Sequence, residues 1–115
     1  MGGETIFAKI IRREVPAKIV YETDHVLAFH DVNPQAPIHI LIIPKEPIRD
    51  LASAKADHKE LLGELLVAVN EIAREQGLLQ DGFRVVINNG ARAGQTVFHL
   101  HLHLMGGRSF AWPPG

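Results

Sequence analysis

With 115 residues, 46% of them hydrophobic, the chain is long enough for one domain whose core needs neither disulfides nor a structural metal. Twelve basic against thirteen acidic side chains give a net charge of −1, which speaks against a nucleic-acid binder or a protein drawn to anionic membranes. Zero Cys excludes a disulfide scaffold, a thiolate zinc finger and a cysteine nucleophile, and leaves seven His as the feature to explain.

The start, Met1-Gly2-Gly3-Glu4-Thr5, has no basic stretch followed by a long apolar one. Ile6 stands where N-myristoylation wants Ser or Thr, and no apolar run approaches a membrane span. A cytoplasmic protein is the expectation. Ile6, Phe7, Ile10 and Ile11 have helical spacing, which predicts a short helix stopped before Pro16. Lys18 to Glu22 and Val26 to His30 read as two strands joined by a turn at Thr23-Asp24. Asn33 to Pro37 is a loop by composition, and Ile38 to Ile43 is a central strand stopped by Pro44. Asp57 to Gln76 is the clearest helix, with Leu61, Leu62, Leu65, Leu66, Val69, Ile72 and Ala73 as its apolar stripe. Asp57 with Glu60 resembles a capping box, and Gly77 sits where a C-terminal cap belongs. Phe83 to Asn88 is a strand, Asn89 to Gln95 a glycine-containing loop, and Thr96 to Met105 the last strand. With no repeat or linker, residues 1–115 form a single domain. Five strands and two helices with short connections indicate an α+β antiparallel sheet.

The last strand carries the chemistry. On a strand His99, His101 and His103 share one face, while Phe98, Leu100, Leu102 and Leu104 share the core face. Same-face neighbours stand roughly 6.7 Å apart along a strand, so three imidazoles do not readily converge on one ion. A metal site needs two of them plus His39 or a carboxylate. A row of imidazoles along an extended substrate is the other reading. Neutral imidazole attacks phosphorus and leaves it again, which divides one displacement into two easier steps. Asn88, Asn89-Gly90 and Gly94-Gln95-Thr96 place amide, hydroxyl and backbone donors just before the stripe, a composition suited to phosphate.

The segment Gly94-Gln95-Thr96-Val97-Phe98-His99-Leu100-His101-Leu102-His103-Leu104-Met105-Gly106-Gly107-Arg108 resembles the signature of the histidine triad (HIT) superfamily. Ile6 to Ile10, Ala28 to Pro37, His39 to Lys45 and the closing Trp-Pro-Pro-Gly are also similar, to the branch of nucleotide-binding purine nucleoside phosphoramidases. The resemblance implies a five-stranded sheet with one long and one short helix, dimerising into a ten-stranded sheet. It implies that His101 is the nucleophile on the α-phosphorus of an adenosine 5′-phosphoramidate, forming a nucleotidyl-histidine that water releases as AMP. His103 matches the histidine at the phosphate and leaving group, where an imidazolium would help the amine depart. His99 and His39 match the pair that supports and orients the catalytic ring. Asn88, Gln95 and Thr96 match phosphate-contacting positions, and Asp31 the acceptor for the ribose hydroxyls. Ile6, Phe7, Ile10, Phe29, Val32 and Leu41 match the purine slot, and Trp112 a residue that reaches the partner's active site.

The expected ligands are therefore purine nucleotides such as AMP, GMP and adenosine phosphoramidates, with no cofactor and no metal. The alternatives are a dinucleoside polyphosphate hydrolase of a sister branch, a nucleotide-binding regulatory module, and a metal protein using His101, His103 and His39. His25, His30 and His58 receive no function.

Overall fold

The computed structural model describes residues 4–115, so the reading of Met1 to Gly3 lies outside the described residues. In chain order it contains α1 (Ile6–Ile11), β1 (Ile19–Glu22), β2 (Val26–His30), β3 (Ile38–Pro44), α2 (Lys59–Glu75), β4 (Phe83–Val86) and β5 (Leu102–Gly106). The strands form one antiparallel sheet ordered β1-β2-β3-β5-β4, the expected α+β architecture. None of the described helices is long and apolar enough to cross a membrane.

Both faces of the sheet are covered, and the period of two divides the strands between them. Val26, Ala28, Ile40, Ile42, Leu102 and Leu104 face α2, where they bury against Leu65, Ala68, Val69, Ile72 and Ala73. Leu27, Phe29, Leu41 and Ile43 face the other way and pack on Phe7 and Ile10 of α1. This is why Ile38 to Ile43 reads as one continuous apolar run. His39 and His103 have the parity of the α1 face, so the histidines lie on the side of the thinner layer.

The caps differ in part from expectation. Gly77 adopts φ +74°, and Leu78 N–H donates to the Ala73 carbonyl at 2.8 Å, a Schellman ending for α2. Asp57 and Glu60 make no capping box at the other end. A short 3₁₀ turn, Ala56–His58, precedes α2, and Lys55 N–H donates to His58 Nδ1 at 2.9 Å. His58 thus has a structural task, which its 2.8 Å contact with Glu46 reinforces. Leu66, expected on the buried stripe, is 58% exposed.

The largest departure is in the last strand, which begins at Leu102 rather than Thr96. Continuing the β3–β5 register, in which Ile42 faces Leu102, would set Leu100 opposite Pro44. Pro44 has no N–H with which to extend a ladder. Leu100 N–H instead donates to the Ile48 carbonyl at 2.7 Å, so residues 96–101 are anchored to the chain beyond β3. β4 is also shorter than expected, ending at Val86 rather than Asn88.

Candidate active site

A cavity of about 310 Å³ opens on the α1 face of the sheet. Ile6, Phe7, Ile10, Phe29, Val32 and Leu41, the six residues matched to the purine slot, all line it. So do Asp31, Thr96, His101 and His103. Val15, Pro16, Ala17 and Val97 complete the wall and were not expected there; His30, a neighbour of the slot in sequence, lines it as well. The signal for the first three was their apolar character between a helix stop and a strand, where no other role claimed them. A larger opening, about 550 Å³ around Arg84, Arg108 and Phe110, holds none of the histidines.

Leaving the ladder does not scatter the imidazoles. The rings of His101 and His103 have centroids 5.0 Å apart, and those of His39 and His103 5.2 Å. Phe7 meets His101 edge-on at 5.1 Å and His99 at 6.3 Å, so an apolar ring braces the inner end of the row. His39, His99 and His101 are buried, and His103 is half-buried at the cavity wall.

The hydrogen bonds assign a proton to each neutral ring. His101 Nδ1 lies 2.8 Å from the His99 carbonyl, which can only accept, so Nδ1 carries the hydrogen and Nε2 the free lone pair. His39 Nδ1 accepts Gln35 N–H at 3.0 Å, so its hydrogen is on Nε2. That Nε2–H points at His103 Nδ1, 2.9 Å away, which leaves the His103 hydrogen on Nε2. His99 Nε2 donates to the Pro44 carbonyl at 2.8 Å.

This pattern corrects the expected division of labour. The His99 and His39 rings do not orient His101; the backbone carbonyl of His99 does. The His99 ring ties the segment to the end of β3, and His39 holds His103. Burial also disfavours the imidazolium expected at His103. Burial, then the neighbouring His101 and His39, push His103 down to about 4. Burial likewise lowers His39 and His99, against smaller opposing effects of Asp31 and of the Pro44 carbonyl.

The polar residues of the expected phosphate site behave differently from one another. Thr96 is exposed at the cavity. Gln95 is 3% exposed and fully engaged: Oε1 accepts Gly90 N–H at 2.8 Å, and Nε2 donates to the Arg49 and Val97 carbonyls, both at 3.1 Å. It braces the 89–97 loop and has no donor left for a ligand. Asn88 is half-buried beside Gly94, away from the cavity lining. Trp112 is 82% exposed.

The site can be tested for a cation. Asp31, His39 and His103 bring one ligand atom each to within 4.8 Å of one another. A cation at His39 Nε2 would have to displace its hydrogen, and the Gln35 N–H blocks the other tautomer. As arranged, these donors do not fit a metal.

Comparison with known proteins agrees with this geometry. The HIT domain family model matches residues 12–110. The chain belongs to the HIT family. It is 63% identical, over the full length of both chains, to an uncharacterized HIT-like protein of Synechococcus elongatus. It is 54% identical to a protein of Zea mays named a 14 kDa zinc-binding protein, over 96% of this chain and 88% of the other. Among solved structures, a HIT family hydrolase of Legionella pneumophila superposes with a TM-score of 0.96 at 45% identity, covering 97% of this chain and all of that one. A histidine triad nucleotide-binding protein of Candida albicans gives 0.81 at 32% identity, over 96% and 83%. A hydrolase of the HIT family is the function these relations support.

Proposed function

We propose that this HIT protein hydrolyses the phosphorus–nitrogen bond of purine nucleoside 5′-phosphoramidates. The observation that carries the reading is the tautomer of His101. Its Nδ1–H is held by a backbone carbonyl, and its lone pair on Nε2 belongs to a ring lining the cavity. The apolar slot of Phe7, Ile10, Phe29 and Leu41 takes the purine, and Asp31 accepts the ribose hydroxyls. His101 Nε2 attacks the α-phosphorus, the P–N bond breaks, and a nucleotidyl-histidine forms. His103 Nε2–H, a neutral donor, and Thr96 hold the phosphoryl oxygens. One water balances the reaction: its proton goes to the departing amine and its hydroxyl to phosphorus, releasing AMP or GMP and freeing His101.

The same reading includes a homodimer. Leu66, Val67 and Trp112 are exposed apolar residues, and β4 has an unpaired edge. A second copy would cover them and bring Trp112 to its neighbour's cavity. The test of the activity is turnover of adenosine 5′-phosphoramidate in excess chelator. Turnover should persist, and His101→Ala should lower it more than about a thousandfold without loss of fold. Turnover that vanishes with chelator and returns with zinc contradicts the reading.

A further inference from the structure

At the inner end of the cavity one proton faces two acceptors. His39 is 4% exposed and does not itself line the cavity. Its only N–H is on Nε2, because Gln35 N–H occupies Nδ1. From that nitrogen His103 Nδ1 is 2.9 Å away and Asp31 Oδ2 3.4 Å away. A single N–H aimed well at one acceptor is aimed poorly at the other. Asp31 Oδ1 is already engaged by Asn33 N–H at 2.8 Å, and Oδ2 is the oxygen nearer the His39 N–H. Asp31 and His103 both line that cavity. His39 therefore stands behind the two groups that would meet opposite ends of a nucleotide.

We propose that His39 is a positioning residue that couples the nucleoside end of the site to the phosphoryl end, so that a ribose diol bound at Asp31 commits the His39 proton to His103. The proposal rests on the phosphoramidase reading above. Hydroxyl donors on Asp31 satisfy the carboxylate and weaken its pull on the His39 N–H. The proton is then held by His103 Nδ1, which fixes the His103 hydrogen on Nε2, towards the phosphoryl oxygens. A substrate without ribose hydroxyls leaves Asp31 competing for that proton, and His103 is held less firmly. Ribose is thus recognised partly in the chemical step, which raises kcat, and not only in ground-state binding.

The test compares adenosine 5′-phosphoramidate with its 2′,3′-dideoxy analogue, on the wild-type protein and on His39→Gln. Loss of the hydroxyls should lower wild-type kcat by about tenfold, within the usual range of coupling between sites, besides raising KM. In His39→Gln both substrates should be slow, with the dideoxy penalty confined to KM. An equal kcat penalty in both proteins, or none in the wild type, overturns the coupling. Failure of the wild type to hydrolyse even the ribose substrate overturns the phosphoramidase reading instead. A second measurement needs no variant: ¹⁵N spectra of the wild-type imidazoles with AMP and with 2′,3′-dideoxy-AMP. The His103 Nδ1 resonance should move towards that of a stronger hydrogen-bond acceptor with AMP alone. Identical spectra contradict the proposal.

Discussion

His103 illustrates how burial decides the state of a side chain. Its folded-state value near 4 lies below the unfolded value of 6.5. Between those limits the unfolded chain binds the proton more readily than the folded one. Stability is then fully present above about pH 6.5 and is lost as pH falls towards 4. Over that whole window His103 alone is worth on the order of 3 kcal/mol. His39 and His99 are shifted in the same direction and add to the loss. Thermal unfolding followed from pH 7 to pH 4.5 should show a steadily falling Tm, and His103→Gln should flatten that fall. A Tm unchanged over this range contradicts the lowered values of His103, His39 and His99. Gln95 makes a related point, since both its residue type and the family resemblance marked it as a phosphate contact. Its three bonds to Gly90, Arg49 and Val97 show it spent on holding the loop.

At the scale of elements, close approach matters as much as periodicity. Gly106 closes β5 against Leu78: a Cβ built there would lie 2.6 Å from Leu78 Cδ2. Leu78 is buried, so its side chain has little room to give way. Gly106→Ala should cost about 1–3 kcal/mol in urea unfolding, as overpacking of a filled core does. A cost within experimental error would mean that Leu78 moves freely. The strands themselves were largely legible. Val26 to His30 has the bounds found, because turn residues frame a short apolar run. Thr96 to Met105 was only half legible. From His99 to Leu104 the alternation is strict, but alternation reports which way side chains point and not whether a neighbouring strand has an N–H to offer. The missing donor of Pro44 is a long-range fact, visible only once the register is known. For the same reason the triad was legible as a row, while its pairing of His39 with His103 was not. The partner of an imidazole depends on which elements meet behind it.

For the whole molecule, the sheet buries two unequal layers. The long α2 supplies the larger core, and α1 covers the other face incompletely, leaving the cavity beside the histidines. His39 and His103 thus sit on the sheet itself, and His99 and His101 on the segment that leads into β5, beside one open wall. The proposed dimer belongs to this scale. Analytical ultracentrifugation at micromolar concentration should give about twice the 12.7 kDa of one chain. Leu66→Glu with Val67→Glu should shift it towards monomer while leaving the helix intact, since both side chains are exposed on α2. A wild-type monomer at those concentrations contradicts the assembly.

The proposed chemistry requires that His101 take the nucleotide from nitrogen. It is checked by an alkaline denaturing quench during turnover of adenosine 5′-phosphoramidate, followed by peptide mass analysis at a pH that preserves phosphohistidine-type bonds. One adenylyl group should be found on His101, formed equally well with chelator present. An adduct on another residue, or AMP release with no adduct at any time point, would contradict it.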